Sequence, residues 1–343
     1  MIRFGPAGIP LSCKGRTLKD GIEDVHNLGL TAMEIQMVRP SVYTRAPEDE
    51  EVGMTIRDIE EDFVIEIIRD DMSISSPEEE IEEDDDLVYF SSPVSDTFGS
   101  LYEIGEVAQR MDVSMSVHTP YYMDLGNEDI LAETCMENLR HAALITNALN
   151  GSTVVTSLGL YETEDRESVD TRIYENLADM MDWWDYEGIK PKLGIEISGH
   201  QETFGSLEQI LDLCDEFENI VPVLNFPRHH SRTGGSLLEV QDFIDVIETV
   251  QPYSKGSVYS QFSGVEHSEG EERKLTPLKK GDLRFETLAD ALTEISPDIT
   301  IISCSPLLEH DAMYMRIIEE RVFSKKVAKN LKEIRKQAAK AEE

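Results

Sequence analysis

Basic residues are scarce in this 343-residue chain: 31 Lys and Arg stand against 69 Asp and Glu, a net charge of −38. Such a balance repels polyanions, whereas nucleic-acid binders gain affinity by neutralising phosphates. Long apolar runs are missing as well. No stretch approaches the roughly 20 apolar residues that span a bilayer, so no membrane association is expected. The opening Met1-Ile2-Arg3-Phe4-Gly5 lacks the charged-then-apolar pattern of a secretory signal, which makes the cytoplasm the expected location. Cysteine is sparse, and Cys13, Cys135, Cys214 and Cys304 show no CxxC spacing. They read as reduced thiols, which excludes a disulfide framework and a zinc knuckle.

What is present is a regular alternation. Apolar residues make up 40% of the chain, enough for a sizeable core. Short apolar runs end at Phe4, Val38, His118, Ser157, Ile197, Asn225, Phe262 and Ser303, and amphipathic helical stretches separate them. Eight strand–helix units in this order predict a closed parallel sheet, a (β/α)₈ TIM barrel occupying residues 1–343. One segment breaks the rhythm. Residues 45–94 are acidic and β-rich, with strand-like runs at Phe63–Ile68 and Leu87–Phe90. Between Ala46 and Asp86 there are 19 Asp and Glu but only 2 Arg. This segment is expected to be an insertion in the loop after strand 2. The final helix overruns the barrel and turns basic, as a solvated end would.

The strand ends carry the chemistry. Leu193-Gly194-Ile195-Glu196-Ile197 places one carboxylate in a buried run. Burial of that charge costs several kcal/mol unless it is compensated. A metal, a basic partner or a hydrogen-bond network would each compensate Glu196. Other strands end in polar residues too: His118, then Asn225 followed by Arg228-His229-His230, then Gln261. Barrel enzymes build their sites from such positions. His229 and His230 are adjacent, so only one is expected to face the site. His200 and His267 are expected to be solvated in loops, Glu266 and residues 269–272 to lie on the surface, and Cys304 to be a small core residue.

Three stretches resemble a known family: Phe4-Gly5-Pro6-Ala7-Gly8-Ile9-Pro10-Leu11-Ser12, Ala32-Met33-Glu34-Ile35-Gln36-Met37-Val38-Arg39 and Val117-His118-Thr119-Pro120-Tyr121-Tyr122. They look like the endonuclease IV family of xylose-isomerase-like TIM barrels, archaeal type. The resemblance covers nearly the whole chain outside residues 45–94. It implies DNA repair by cleavage at abasic sites, with three zinc ions held by histidines and carboxylates. His118 and Glu196 fall where the family has a histidine ligand and its bridging glutamate, and His230 and Arg232 are kept. Elsewhere Ser157, Arg228 and Gln261 stand where the family has histidines, Asn225 where it has aspartate, and Cys304 where it has glutamate. The stretch Arg273-Lys274-Leu275 replaces a histidine motif. Zinc needs anionic or imidazole donors, and an arginine places a fixed cation instead. The expectation is at most one weakly held zinc at His118 and Glu196, helped by His230. The favoured alternative is an Arg228–Glu196 ion pair.

Three functions follow. One is an endonuclease of the resembled type, with DNA as partner and the chain's negative charge against it. Another is a sugar isomerase, epimerase or small-molecule hydrolase of the same superfamily, using His118 and Glu196 as acid and base. The third is a binding barrel whose Arg39, Tyr121, Asn225, Arg228, Arg232 and Gln261 contact a small anionic ligand. Residues 45–94 are expected at the barrel mouth as a lid or protein-partner element, or else as a surface elaboration.

Overall fold

A computed structural model describes residues 1–38, 40–161 and 165–341. The chain opens with β1 (Ile2–Pro6), α1 (Leu18–Asn27) and β2 (Ala32–Gln36). A four-strand excursion follows: β3 (Ser41–Arg45), β4 (Val64–Arg69), β5 (Met72–Ile74) and β6 (Asp86–Ser91). The alternation resumes with α2 (Phe98–Arg110), β7 (Ser114–His118), α3 (Ile130–Ala148), β8 (Thr153–Thr156) and α4 (Arg166–Tyr186). Next come β9 (Lys192–Glu196), α5 (Leu207–Glu216), β10 (Ile220–Asn225), α6 (Phe226–Arg232) and α7 (Val240–Val250). The chain then runs through β11 (Val258–Phe262), β12 (Gly264–Ser268), β13 (Glu271–Thr276), α8 (Phe285–Ile295), β14 (Ile299–Ser303) and α9 (Glu309–Ala341).

Eight of these strands form one parallel sheet in the order β1-β14-β11-β10-β9-β8-β7-β2. Its two ends meet. Thr31 N–H donates to the Phe4 carbonyl at 2.9 Å, and Ala7 bridges Glu34 in parallel, so the sheet closes. Gly5 permits that closure, because a Cβ there would overlap the Ala32 backbone. The helices cover the outside as their patterns dictate. In α1, Leu18, Ile22 and Val25 share the buried face, and Thr17 caps the N-terminus by accepting from Asp20 N–H. The (β/α)₈ barrel expected from the alternation is the observed fold. Among the described residues no helix is long and apolar enough to cross a membrane.

The insertion departs from expectation in where it packs. Its strands form a separate antiparallel sheet, β3-β6-β4-β5. The apolar face, with Phe63, Ile65, Ile67 and Phe90, joins the main core. Phe63 lies 6.1 Å from Phe98 of α2, and Phe90 lies 5.3 Å from the His141 ring of α3. Glu66 and His141, both buried, pair at 3.2 Å. The sheet thus covers the flank at α2 and α3, and contributes no residue to the wall of the mouth cavity. The insertion packs on the helical flank and not on the rim because that flank supplies the apolar partner its strands need. Two further elements were not anticipated: the short helix α6, and the β12–β13 hairpin where a surface run was expected.

Because Phe90 is fully buried between the insertion sheet and the helices that support it, its replacement by alanine should cost the whole domain about 3–5 kcal/mol. Urea unfolding checks this: a single cooperative transition at a lower midpoint is expected, and an unchanged midpoint would show the insertion to be a detachable ornament.

Candidate active site at the barrel mouth

Along a β-strand every second side chain points to the same face. In a closed barrel one of those faces is the interior. Ala7, Glu34, His118, Glu196, Asn225, Gln261 and Cys304 come from the C-terminal ends of seven strands and line one cavity of about 290 Å³. Directly below them Ala32, Val155, Val223, Tyr259 and Ile302 form a compact interior layer. The mouth is therefore polar and rests on a mostly apolar floor.

Glu196 is the centre of this layer. Asn225 Nδ2 donates to its Oε1 at 2.8 Å. The Arg228 guanidinium Nη1 donates to its Oε2. His118 Nε2 stands 3.6 Å from the same oxygen. Asn225 also sets Arg228 in place. It caps α6, its Oδ1 accepting from Arg228 N–H at 3.0 Å, so the first turn carries the guanidinium over Glu196. Asn225 Nδ2 further donates to Gln261 Oε1 at 2.6 Å, and Gln261 Nε2 donates to Glu34 Oε2 at 2.9 Å. Glu34 also accepts from Tyr259 OH at 2.9 Å and from Gln36 Nε2 at 2.8 Å. Two buried carboxylates, on β2 and β9, are thus joined through two amides.

Their environments differ. Burial pushes the Glu196 carboxyl up, but Arg228, His118 and Asn225 outweigh it and hold it down at about 2. Burial opposes charge on His118, yet Glu196, Glu34 and the Thr119 carbonyl raise it to about 9. His118 Nδ1 lies 2.7 Å from that carbonyl, which places a proton there. At Glu34 burial prevails over His118 and Gln261, and its carboxyl is raised. Burial pushes the Cys304 thiol to about 12, so it is inert beside the charges.

The expected residues divide by position. His118, Glu196, Asn225, Arg228 and Gln261 come together, and exposed Tyr121 stands on the cavity rim. Arg39 lies outside the described residues. Arg232 turns away, its guanidinium holding the His200 and Thr203 carbonyls of the loop after β9. His230 turns away too. Its Nδ1 accepts from Leu237 N–H at 3.1 Å and its Nε2 faces Asp282 Oδ1 at 3.3 Å, so the expected set His118, Glu196 and His230 is not assembled. Its neighbour His229 is held neutral by burial, which lowers that imidazole to about 4.

Four residues were missed. Glu34 and Tyr259 are buried members of the network. The signal for Glu34 was the same as for Glu196, a lone carboxylate among Ala32, Met33 and Ile35. Glu272, expected on the surface, is folded inward by the β12–β13 hairpin to 14% exposure, 3.4 Å from Arg228 Nε. His267, expected to be solvated, is half-buried. It lies in β12 with its ring 4.8 Å from that of His230, and its Nε2 is 3.3 Å from both Asp282 oxygens.

At the mouth, an arginine and two amides occupy the places of anionic ligands, and the residues do not fit a zinc cluster. Among the described residues, the one group of three metal-ligating type is His230, His267 and Asp282, whose ligand atoms lie within 4.8 Å of one another. There the Leu237 N–H occupies the Nδ1 lone pair of His230. Its proton therefore sits on Nε2 and points at Asp282, and a metal at Nε2 would have to break that arrangement.

Residues 22–314 match the family described as xylose isomerase-like TIM barrel. An uncharacterized protein of Methanocaldococcus jannaschii is 27% identical over 220 residues, covering 63% of this chain and 78% of its own. Endonuclease IV from Thermus thermophilus superposes with a TM-score of 0.59 at 16% identity, over 94% of this chain and 99% of that one. A D-psicose 3-epimerase, solved in the presence of D-fructose, gives 0.54 at 14% identity, over 93% and 99%. At these identities the two structures show a shared fold.

Two outcomes test the mouth. Removing the Arg228 charge as Arg228→Met leaves Glu196 buried without its cation and should cost about 3–5 kcal/mol. Adding Glu196→Gln should recover much of that loss in a double-mutant cycle, and additive losses would refute the pairing. The second is a pH profile. His118 rises from 6.5 to about 9, so its stabilising contribution is full below 6.5 and is lost as pH climbs through 9. Glu196 falls from 4.5 to about 2, so its contribution is full above 4.5 and is lost as pH drops through 2. Denaturant unfolding from about pH 5 to about pH 9.5 should show stability declining across the upper window, and His118→Gln should flatten that decline.

Proposed function

Because the chain belongs to the xylose isomerase-like TIM-barrel family, we propose that it acts on a small anionic, sugar-sized molecule at the barrel mouth, without a metal cluster. The carrying observation is Arg228 seated on Glu196 inside the mouth cavity. A guanidinium there takes over the charge-balancing task of a cation, permanently and without exchange. Its Nη1 engages Glu196 and its Nε faces Glu272, while Nη2 makes no hydrogen bond among the described residues. That arm and the cationic His118 are the counter-ions for a carboxylate or phosphate on the ligand.

The reaction class this supports is proton transfer, as in isomerisation or epimerisation. Titratable groups pushed apart by their surroundings mark acid and base roles. Glu196, held at about 2 and committed to Arg228, is a weak base and serves as counter-ion. Glu34, with its carboxyl raised and three donors fixing its orientation, is the better base. His118 is the acid facing it. The base role moves from Glu196, where the strand-end pattern had put it, to Glu34. The cytoplasm is the compartment this reading places it in.

The second reading is cleavage of abasic DNA. The similarity over nearly the whole length of a bacterial endonuclease IV favours it. Against it stand the replaced zinc ligands and the net charge of −38. Elemental analysis of purified protein should find less than one zinc per chain, with no cleavage of an abasic-site oligonucleotide. Two or more zincs together with cleavage would establish the endonuclease instead. For the first reading, sugar acids and sugar phosphates should be screened by ligand-observed NMR in deuterated water. Arg228→Gln should weaken binding about tenfold, equivalent to about 1.4 kcal/mol. Glu34→Gln should keep binding but abolish exchange of the substrate carbon-bound proton.

A further inference from the structure

The same alternation that builds the mouth builds a second interior layer at the opposite end of the barrel. Four residues before five of the seven mouth positions, on the same strand face, stand Arg3 below Ala7, Ser114 below His118, Lys192 below Glu196, Ser257 below Gln261 and Thr300 below Cys304. All of them line one cavity of about 390 Å³ at the N-terminal end. Lys255 joins them from the loop before β11. The volume lies within the range of small-ligand pockets.

The charge of this cavity is opposite to that of the molecule. The chain has 69 acids to 31 bases, yet the cavity wall carries Arg3, Lys192 and Lys255 against Asp298 alone. The lysines are held by neutral groups. Lys192 Nζ donates to Asn219 Oδ1 at 2.7 Å, and Lys255 Nζ donates to the Glu218 carbonyl. Those bonds aim the ammonium groups without cancelling them. Arg3 shares its charge with Asp112 at 2.7 Å. Cations gathered around one opening repel each other, and an anion between them removes that repulsion. Ser114, Ser257 and Thr300 supply hydroxyl donors on the same wall.

We propose that this N-terminal cavity is a binding site for a small phosphate-bearing molecule, separate from the mouth. Two uncancelled ammonium groups, a guanidinium and a ring of hydroxyls match a phosphate's several acceptor oxygens and double charge. The site does not depend on the reaction assigned to the mouth. Tyr259 forms part of its wall and donates its hydroxyl to Glu34, so the occupant reaches the underside of the mouth network.

Inorganic phosphate is the probe, titrated into the full chain by calorimetry and thermal unfolding, with chloride replacing it at constant ionic strength. Saturable binding and a phosphate-dependent rise in the unfolding midpoint are expected. Lys192→Gln and Lys255→Gln should each weaken binding about tenfold. Lys192→Arg should restore it, which separates loss of charge from loss of fold. Lys325→Gln, exposed on α9 and outside both cavities, should leave phosphate affinity within about twofold. Loss of binding in Arg228→Gln with retention in Lys192→Gln would place the phosphate at the mouth and overturn the proposal. A response no greater than that to chloride would overturn it as well.

Discussion

A carboxylate enclosed at the end of a barrel strand must be neutralised or hydrogen-bonded, and the arrangement of the mouth follows from how Glu196 meets that demand. Its two oxygens take Asn225, Arg228 and His118. Asn225 then has a second task, because the same side chain caps α6 and thereby delivers Arg228. Arg228 draws Glu272 inward from the hairpin. The charge of one residue thus orders a helix start, a hairpin and two neighbouring strands. Such a centre is a poor place for a metal. The cation is already present, covalently attached and bonded to the carboxylate.

The interior of the barrel is layered by chemistry. Charged and amide groups occupy the mouth, a small apolar layer with Val155, Val223 and Ile302 lies beneath, and cations with hydroxyls occupy the far end. Tyr259 is the exception in the middle layer. Its ring packs with the apolar residues while its hydroxyl reaches Ser116 and Glu34. Burial and the neighbouring Glu34 raise its phenol far above the usual range, so it remains a proton donor to that carboxylate. Such a layer keeps two polar chambers apart and leaves one hydrogen-bonded link between them.

Outside the barrel, the acidic insertion has an ordinary physical role. Its outer face holds the charge, and its inner face extends the core over α2 and α3. The ion pairs within it, such as Arg45 with Glu51 and Asp62, and Arg69 with Asp85, gather acids around the few arginines available. Repulsion within a strongly negative segment is relieved locally.

The sequence by itself determined the barrel. Alternation of strand and helix is a local property, written in periods of two and of about three and a half residues, and it survives without any knowledge of partners. It also determined that polar residues end the strands, and that Glu196 and Arg228 form an ion pair, since charge is a property of residue type. Only the tertiary structure decided who meets whom. Glu34 and Tyr259 are 225 residues apart and touch because the sheet closes. His230 and Arg232 lie in the same helix as Arg228, yet the turn of that helix points them at Asp282 and at the loop after β9. Glu272 reads as a surface acid until a hairpin folds it against Arg228. The insertion's docking face is set by which neighbouring surface is apolar, and the chemistry of the N-terminal cavity emerges only when residues from separate strands are brought around one axis. Each of these depends on closure and packing, which no local pattern encodes.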